Sequence, residues 1–334
     1  MKNKFFFILM ALLSCGACNS NPEKEKSTAP HPALTNPVIK PYTDAISQDS
    51  TDPTLYYQRA QMLNKLGIDA LTEADLRKAV SLDAQNDEYL ESLSAFLIDK
   101  NKPGDALQFI KQLQAKHPDA PDYKLLQVDA LLGLGNLSEA STLVTSLMQS
   151  LPNNPYILLE ASKVKAAQKD TATAIAYAQQ LTAIAPDFYD GVYHLADLYS
   201  EGNNKEAIKW YQTLYKLDTL NAFPFYDLAK FYLKNEDVKT AKMYFKKSIL
   251  VDRDFVKSYL ELGSILMAED SVDKADRQFQ LATEVAPANA DAYYGKGLVY
   301  ERRGNKELAK NFYGQALIFN PDHKDASAAL EKLK

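Results

Sequence analysis

Residues 256–289, VKSYLELGSILMAEDSVDKADRQFQLATEVAPAN, run without a gap into residues 290–323, ADAYYGKGLVYERRGNKELAKNFYGQALIFNPDH. The two stretches have the same length of 34 residues and superimpose position by position. Tyr259 and Tyr293 fall at position 4, Gly263 and Gly297 at 8, Ala275 and Ala309 at 20, Phe279 and Tyr313 at 24, Ala282 and Ala316 at 27, Pro287 and Pro321 at 32. Working back toward the N-terminus, the alanine of position 20 recurs at Ala241, Ala207, Ala174, Ala140 and Ala106, each step being 34 residues except one of 33. The proline recurs at Pro186, Pro152 and Pro118. A fixed period of this length marks a repeat array, a chain that stacks small units instead of enclosing one core.

Each unit reads as a helical hairpin. Large residues at 4, 7 and 11 with a small one at 8 make one stripe of a first helix; 20, 24 and 27 make one stripe of a second. Glycine or alanine at 8 and alanine at 20 are expected to let the two helices approach, with large residues filling the space around that contact. Proline at 32 cannot continue a helix and separates one unit from the next.

This pattern closely resembles the tetratricopeptide repeat. The resemblance implies an all-α, right-handed superhelical solenoid of helical hairpins closed by a C-terminal cap helix. Eight repeats begin at Pro53, Asp87, Pro121, Pro155, Tyr189, Ala222, Val256 and Ala290 and cover residues 53–323, about four fifths of the chain. Repeat one departs from the pattern with Thr72 in the alanine position, repeat four with Lys165 where a large apolar residue is usual. Repeat five is one residue short, assigned to its Ser200–Asn204 turn. Terminal repeats need caps. Ala326, Ala329, Leu330 and Leu333 form the apolar stripe of a cap helix over 324–334; Tyr42 and Ala45, with Pro41 near the start, predict a leading helix within 39–52.

The N-terminus has a different character. Two lysines in Met1–Lys4 precede an unbroken apolar run, Phe5–Leu13, too short to span a bilayer, and then Ser14, Cys15, Gly16, Ala17 and Cys18. Both cysteines of the chain stand here. Leu12–Cys15 resembles a bacterial lipobox, which implies a signal peptide over 1–14, acylation at Cys15 with Cys18 as the alternative, and a membrane anchor of several acyl chains. Residues 15–38 are polar and rich in Pro, Ser, Glu and Lys, and read as a disordered tether. The N-terminus resembles Bacteroidota lipoproteins. It lacks the acidic cluster that tends to mark surface display there, so the expected address is the periplasmic side of the outer membrane.

Composition narrows the chemistry. With no cysteine after Cys18, the body has no disulfide or thiolate metal site. His31, His117, His194 and His323 are scattered without metal-ligand spacing and read as solvated residues. The net charge is −5 with both signs interspersed, so no basic stripe points to nucleic acid. No glycine-rich phosphate loop, nucleophile elbow or HExxH motif occurs. Neither an enzyme nor a cofactor or metal is expected.

The resemblance also places a binding groove. First helices of this family line a concave face, and the groove positions here carry Tyr57, Tyr156, Tyr193, Asp197, Phe223, Tyr226, Lys230 and Tyr294. Aromatic rings with a polar tip suit a peptide segment. The contact is expected mainly at repeats five and six. The function expected is that of a membrane-anchored scaffold or adaptor in the bacterial envelope, holding a protein or peptide partner; a periplasmic co-chaperone for polypeptides in transit is the alternative.

Overall fold

The structure, a computed structural model, describes residues 31–333. The signal-peptide segment and both candidate lipid sites, Cys15 and Cys18, lie outside the described residues. The chain divides into two compact units, one ending at Tyr89 and one beginning at Leu90.

The first unit contains a 3-10 turn, Pro32–Thr35, then α1 (Lys40–Gln48), α2 (Pro53–Lys65), α3 (Asp69–Leu82) and the start of α4 (Asp87–Asp99). Residues 31–38, at the end of the expected tether, make local hydrogen bonds. His31 Nδ1 accepts from the Ala33 amide, Asn36 Oδ1 from the Val38 amide, and the fully buried Ile39 leads into α1. In the α2/α3 hairpin, Arg59 stands at position 7 and grips Asp75 of α3 through both carboxylate oxygens, each at 2.7 Å. Thr72, in the alanine position, is tolerated because its hydroxyl donates to the Ile68 carbonyl one turn back.

The second unit continues with α5 (Pro103–Lys116), α6 (Pro121–Gly133), α7 (Leu137–Ser150), α8 (Pro155–Ala167), α9 (Thr171–Ile184), α10 (Tyr189–Glu201) and α11 (Glu206–Leu217). It ends with α12 (Phe223–Lys234), α13 (Val238–Val251), α14 (Val256–Ala268), α15 (Val272–Val285), α16 (Ala290–Arg302), α17 (Lys306–Phe319) and α18 (Lys324–Lys332). Successive helices pack as hairpins in α2/α3, α6/α7, α8/α9, α10/α11, α12/α13, α14/α15 and α16/α17. Prolines Pro121 and Pro155 open first helices, where the missing N–H costs nothing. Asn136, Asp170, Asp237 and Asn305 cap second helices through their side chains. The alanines of position 20, from Ala106 to Ala309, are fully buried.

One backbone feature recurs in every hairpin. Position 15 has positive φ: Gly67, Asn101, Gly135, Lys169, Asn203, Glu236, Asp270 and Gly304. The following amide reaches back five residues, as in Asn136 to the Leu131 carbonyl and Asp237 to the Tyr232 carbonyl. This is the Schellman closure of a helix C-terminus. It also relocates the missing residue of repeat five. Asn203 keeps the left-handed position, so the turn is intact. The deletion is absorbed just after it, where Ala207 and Ile208 donate three residues back, to Asn204 and Lys205, and α11 shortens to 12 residues.

Glycine at position 8 leaves its space to a large residue of the second helix. A Cβ on Gly263 would come within 2.6 Å of the Phe279 ring, and one on Gly297 would strike Tyr313. The space is needed by the aromatic residue of position 24. The cap helix α18 buries Ala326 fully and half-buries Ala329, Leu330 and Leu333.

Candidate functional site

Within the second unit each hairpin packs on the next, and first helices also touch first helices: α6 with α8, α8 with α10, α14 with α16. These helices therefore share one face, and side chains at positions 2, 5, 6 and 9 populate it.

Much of that face is tied from one repeat to the next. The Tyr193 hydroxyl donates to Asp227 at 2.7 Å, and the Tyr226 hydroxyl to Glu261 at 3.2 Å. Lys230 reaches the same Glu261 carboxylate at 2.7 Å. Asp197 turns toward α11 and accepts from the Tyr211 hydroxyl at 2.8 Å. Burial, then the neighbouring carboxylates, pushes Tyr193 and Tyr226 upward, so both remain neutral donors. Burial also pushes Asp227 up to about 6.

The remaining predicted residues differ in what they offer. Tyr156 is 59% exposed, its ring 4.9 Å from Phe188. Phe223 is 41% exposed; it meets Phe255 edge-on and has the Lys257 ammonium 5.0 Å above its ring. Tyr57, in the first unit, lies 4.9 Å from Tyr89. Tyr294 packs between Tyr313 and His323, with ring centres at 5.7 and 5.1 Å.

An open cleft of about 380 Å³ lies further along than repeats five and six, where the contact was expected. Tyr226 stands at one end. Lys257, Leu260, Glu261 and Ser264 of α14 and Tyr294 and Leu298 of α16 form its length, and His323 and Asp325 close it beside α18. Here a cation, the three carboxylates of Glu261, Asp291 and Asp325, a hydroxyl and two tyrosine rings surround apolar floor. Such a set can stack on side chains and hydrogen-bond the backbone of an extended segment.

Several of its members escaped the sequence reading. His323 is not a solvated turn residue: it is 8% exposed, caps α18 through Nδ1 and places Nε2 at 3.1 Å from Asp291. Its position directly before a helix start was the available signal. His194 is half-buried, 2.9 Å from the Ser162 hydroxyl, and burial followed by the Lys163 charge holds it near 4, so it is neutral. Glu160, on an apparently amphipathic helix, is buried with Oε1 on Lys163 at 2.6 Å and Oε2 without a partner; burial, then Asp129, pushes it up to about 8. Nothing in its residue type marks it. Among the described residues no group of three or more His, Cys, Asp or Glu is placed to hold a metal ion, and no helix is long and apolar enough to cross a membrane.

Comparison with known proteins agrees with this architecture. Profiles described as tetratricopeptide repeat match residues 97–162, 159–222, 225–255 and 290–323. The chain is 32% identical over 83 residues to tetratricopeptide repeat domain-containing protein PYG7, chloroplastic, of Arabidopsis thaliana, an alignment covering 25% of this chain and 28% of that protein. It is 24% identical over 220 residues to stress-induced-phosphoprotein 1 of Caenorhabditis elegans, covering 65% of this chain and 68% of that one. Among solved structures, the crystal structure of the APC/C hetero-tetramer Cut9-Hcn1 superimposes with a TM-score of 0.50 at 16% identity, over 88% of this chain and 59% of that chain. That likeness is one of fold.

Proposed function

The chain belongs to the tetratricopeptide repeat family, whose members generally mediate protein–protein interactions, and on that premise we propose that it is a scaffold or adaptor whose partner lies across the first-helix face of the second unit. The observation that carries the reading is the open cleft between Tyr226 and His323, the part of that face where polar and aromatic side chains surround unfilled space. Tyr193, Asp197 and Lys230 hold neighbouring elements together and shape the face. Tyr156 and Phe223 extend it with exposed rings.

The cellular setting belongs to the same proposal. The order of lysines, apolar run, small residues and cysteine over residues 1–18 supports an acyl anchor at Cys15, or Cys18, in a bacterial outer membrane, with the repeats on the periplasmic side. The partner would then be an envelope protein.

Ser264 supplies the test. It is exposed, lines the cleft, and its hydroxyl only returns to its own helix at Leu260. Ser264→Arg should block the cleft and leave the melting temperature unchanged. Affinity purification of the full chain from its own cells is expected to recover a stoichiometric partner that the variant loses. An unchanged partner set would refute the cleft as the site. Equal binding of many denatured proteins would favour the co-chaperone reading.

A further inference from the structure

A second cleft lies on the other side of α14, between the second helices α13 and α15. Its volume is about 820 Å³. Short connections, 252–255 and 269–271, place α13 and α15 both antiparallel to α14, so they run parallel to each other. Each wall is one helical stripe. On α13 the stripe is Lys242, Lys246, Ile249 and Leu250; on α15 it is Lys274, Arg277, Gln278 and Leu281. Along both helices the cations come first and the apolar residues follow. The cleft therefore has a basic end and an apolar end, the apolar end floored by Tyr259 and Leu262.

Two details make this more than an ordinary solvated groove. The carboxylates at its edge are already engaged: Glu269 pairs with Lys242 at 2.5 Å and Asp273 with Arg303 at 2.7 Å. Lys246, Lys274 and Arg277 have no ionic partner among the described residues and are exposed. At the apolar end Leu250 is 80% exposed, a large side chain left in water directly above covered ones. Charge complementarity thus asks for carboxylates over one end and aliphatic side chains over the other.

We propose that this cleft docks an amphipathic helix of another protein that carries Asp or Glu in its first turns and Leu- or Ile-like residues on the same face further on. Acidic residues suit the N-terminal turns of the incoming helix in their own right. Two helical walls with Tyr259 and Leu262 between them form a concave trough that suits a helix better than a flat lipid surface. The site is separate from the first-helix cleft and does not depend on its assignment.

The probe is a fluorescently labelled synthetic helix with glutamates in its first two turns and leucines on the same face in the next two. Fluorescence anisotropy with the full chain should show binding that weakens with salt. The double variant Lys246→Glu/Arg277→Glu should bind about ten-fold more weakly or worse, and should gain affinity for the same peptide with lysines replacing the glutamates. Leu250→Ser should weaken binding, while Ser264→Arg in the other cleft should not. All four substitutions are on exposed residues, and thermal melts verify that folding is unaffected. Equal affinity for the glutamate and lysine peptides, an unaltered affinity in the double variant, or binding only to phosphatidylserine vesicles would each overturn the proposal.

Discussion

The ring of Phe279 occupies the space that Gly295 leaves open. Phe279 belongs to the second helix of repeat seven and Gly295 to the first helix of repeat eight; a Cβ on Gly295 would fall inside the ring's contact distance. Gly263 faces the same ring at a would-be Cβ distance of 2.6 Å. Two glycines in successive repeats thus flank one aromatic side chain, and this joins the repeats. Gly295→Ala should force the ring to shift and cost roughly 1–3 kcal/mol. Because repeats couple to neighbours, hydrogen exchange is expected to quicken in α14–α17 and stay unchanged in α6–α9. Uniform loosening would contradict that picture.

The left-handed residue of each hairpin offers a stabilising change. Glu236 has φ of 61° at an exposed turn, a conformation in which a side chain costs energy and glycine does not. Glu236→Gly is expected to raise unfolding free energy by about 0.5–1 kcal/mol in urea titrations. The reverse change, Gly304→Ala, should lower it, although a Cβ there would meet nothing within 4 Å. No loss in the second variant would remove backbone conformation as the cause.

Arg59 and Asp75 are 12% and 7% exposed, a fork inside the first hairpin. Asp75→Ala strands the guanidinium and should cost about 3–5 kcal/mol. Replacing both, as Arg59→Met with Asp75→Leu, should recover most of the loss. A double variant as unstable as the single one would show that the pair does more than satisfy itself.

Asp227 gives the first-helix face a pH dependence. Burial raises its carboxyl to about 6, Asp197 adds repulsion, and Tyr193 and Lys257 act in the opposite direction. In the unfolded chain the group titrates at about 3.9. Between these values the folded protein keeps a proton that the unfolded chain has lost, so this contribution to stability declines as pH rises from about 4 through 6. Asp227→Asn should flatten that decline and, above pH 6, gain on the order of 1 kcal/mol after allowance for solvent screening. Parallel stability profiles for the two proteins between pH 4 and 7 would rule the effect out.

The proposed anchor is tested by metabolic labelling with a fatty acid. Wild type should incorporate label and Cys15→Ala/Cys18→Ala should not. Equal labelling would dismiss a thioether-linked lipid at either cysteine.

The hairpins were legible because their cause is periodic. Ala275 and Ala309, or Phe279 and Tyr313, recur at fixed spacing and each packs against its own neighbourhood, so local pattern and local structure coincide. The candidate site was legible only in part. The groove positions led to Tyr226 and Tyr294. Glu261 and Ser264 were missed because a charged or hydroxyl residue on an amphipathic helix carries no mark of which face it joins. His323 was missed because its role as a cap depends on a helix that follows it.

The sequence by itself determined the all-α repeat architecture, because helix pairing within 34 residues depends on side chains close together in the chain. It also carried the cysteines and apolar run of residues 1–18 on which the anchor proposal rests. Only the tertiary structure decided which groove side chains are free. Tyr193, Asp197 and Lys230 have the right types at the right positions, yet their polar atoms are bound to residues 14 to 34 positions away. The same is true of the left-handed turn, which glycine reveals at Gly135 but which Lys169 and Glu236 conceal. Backbone hydrogen bonding imposes that conformation on whatever residue stands there, so residue type alone could not report it.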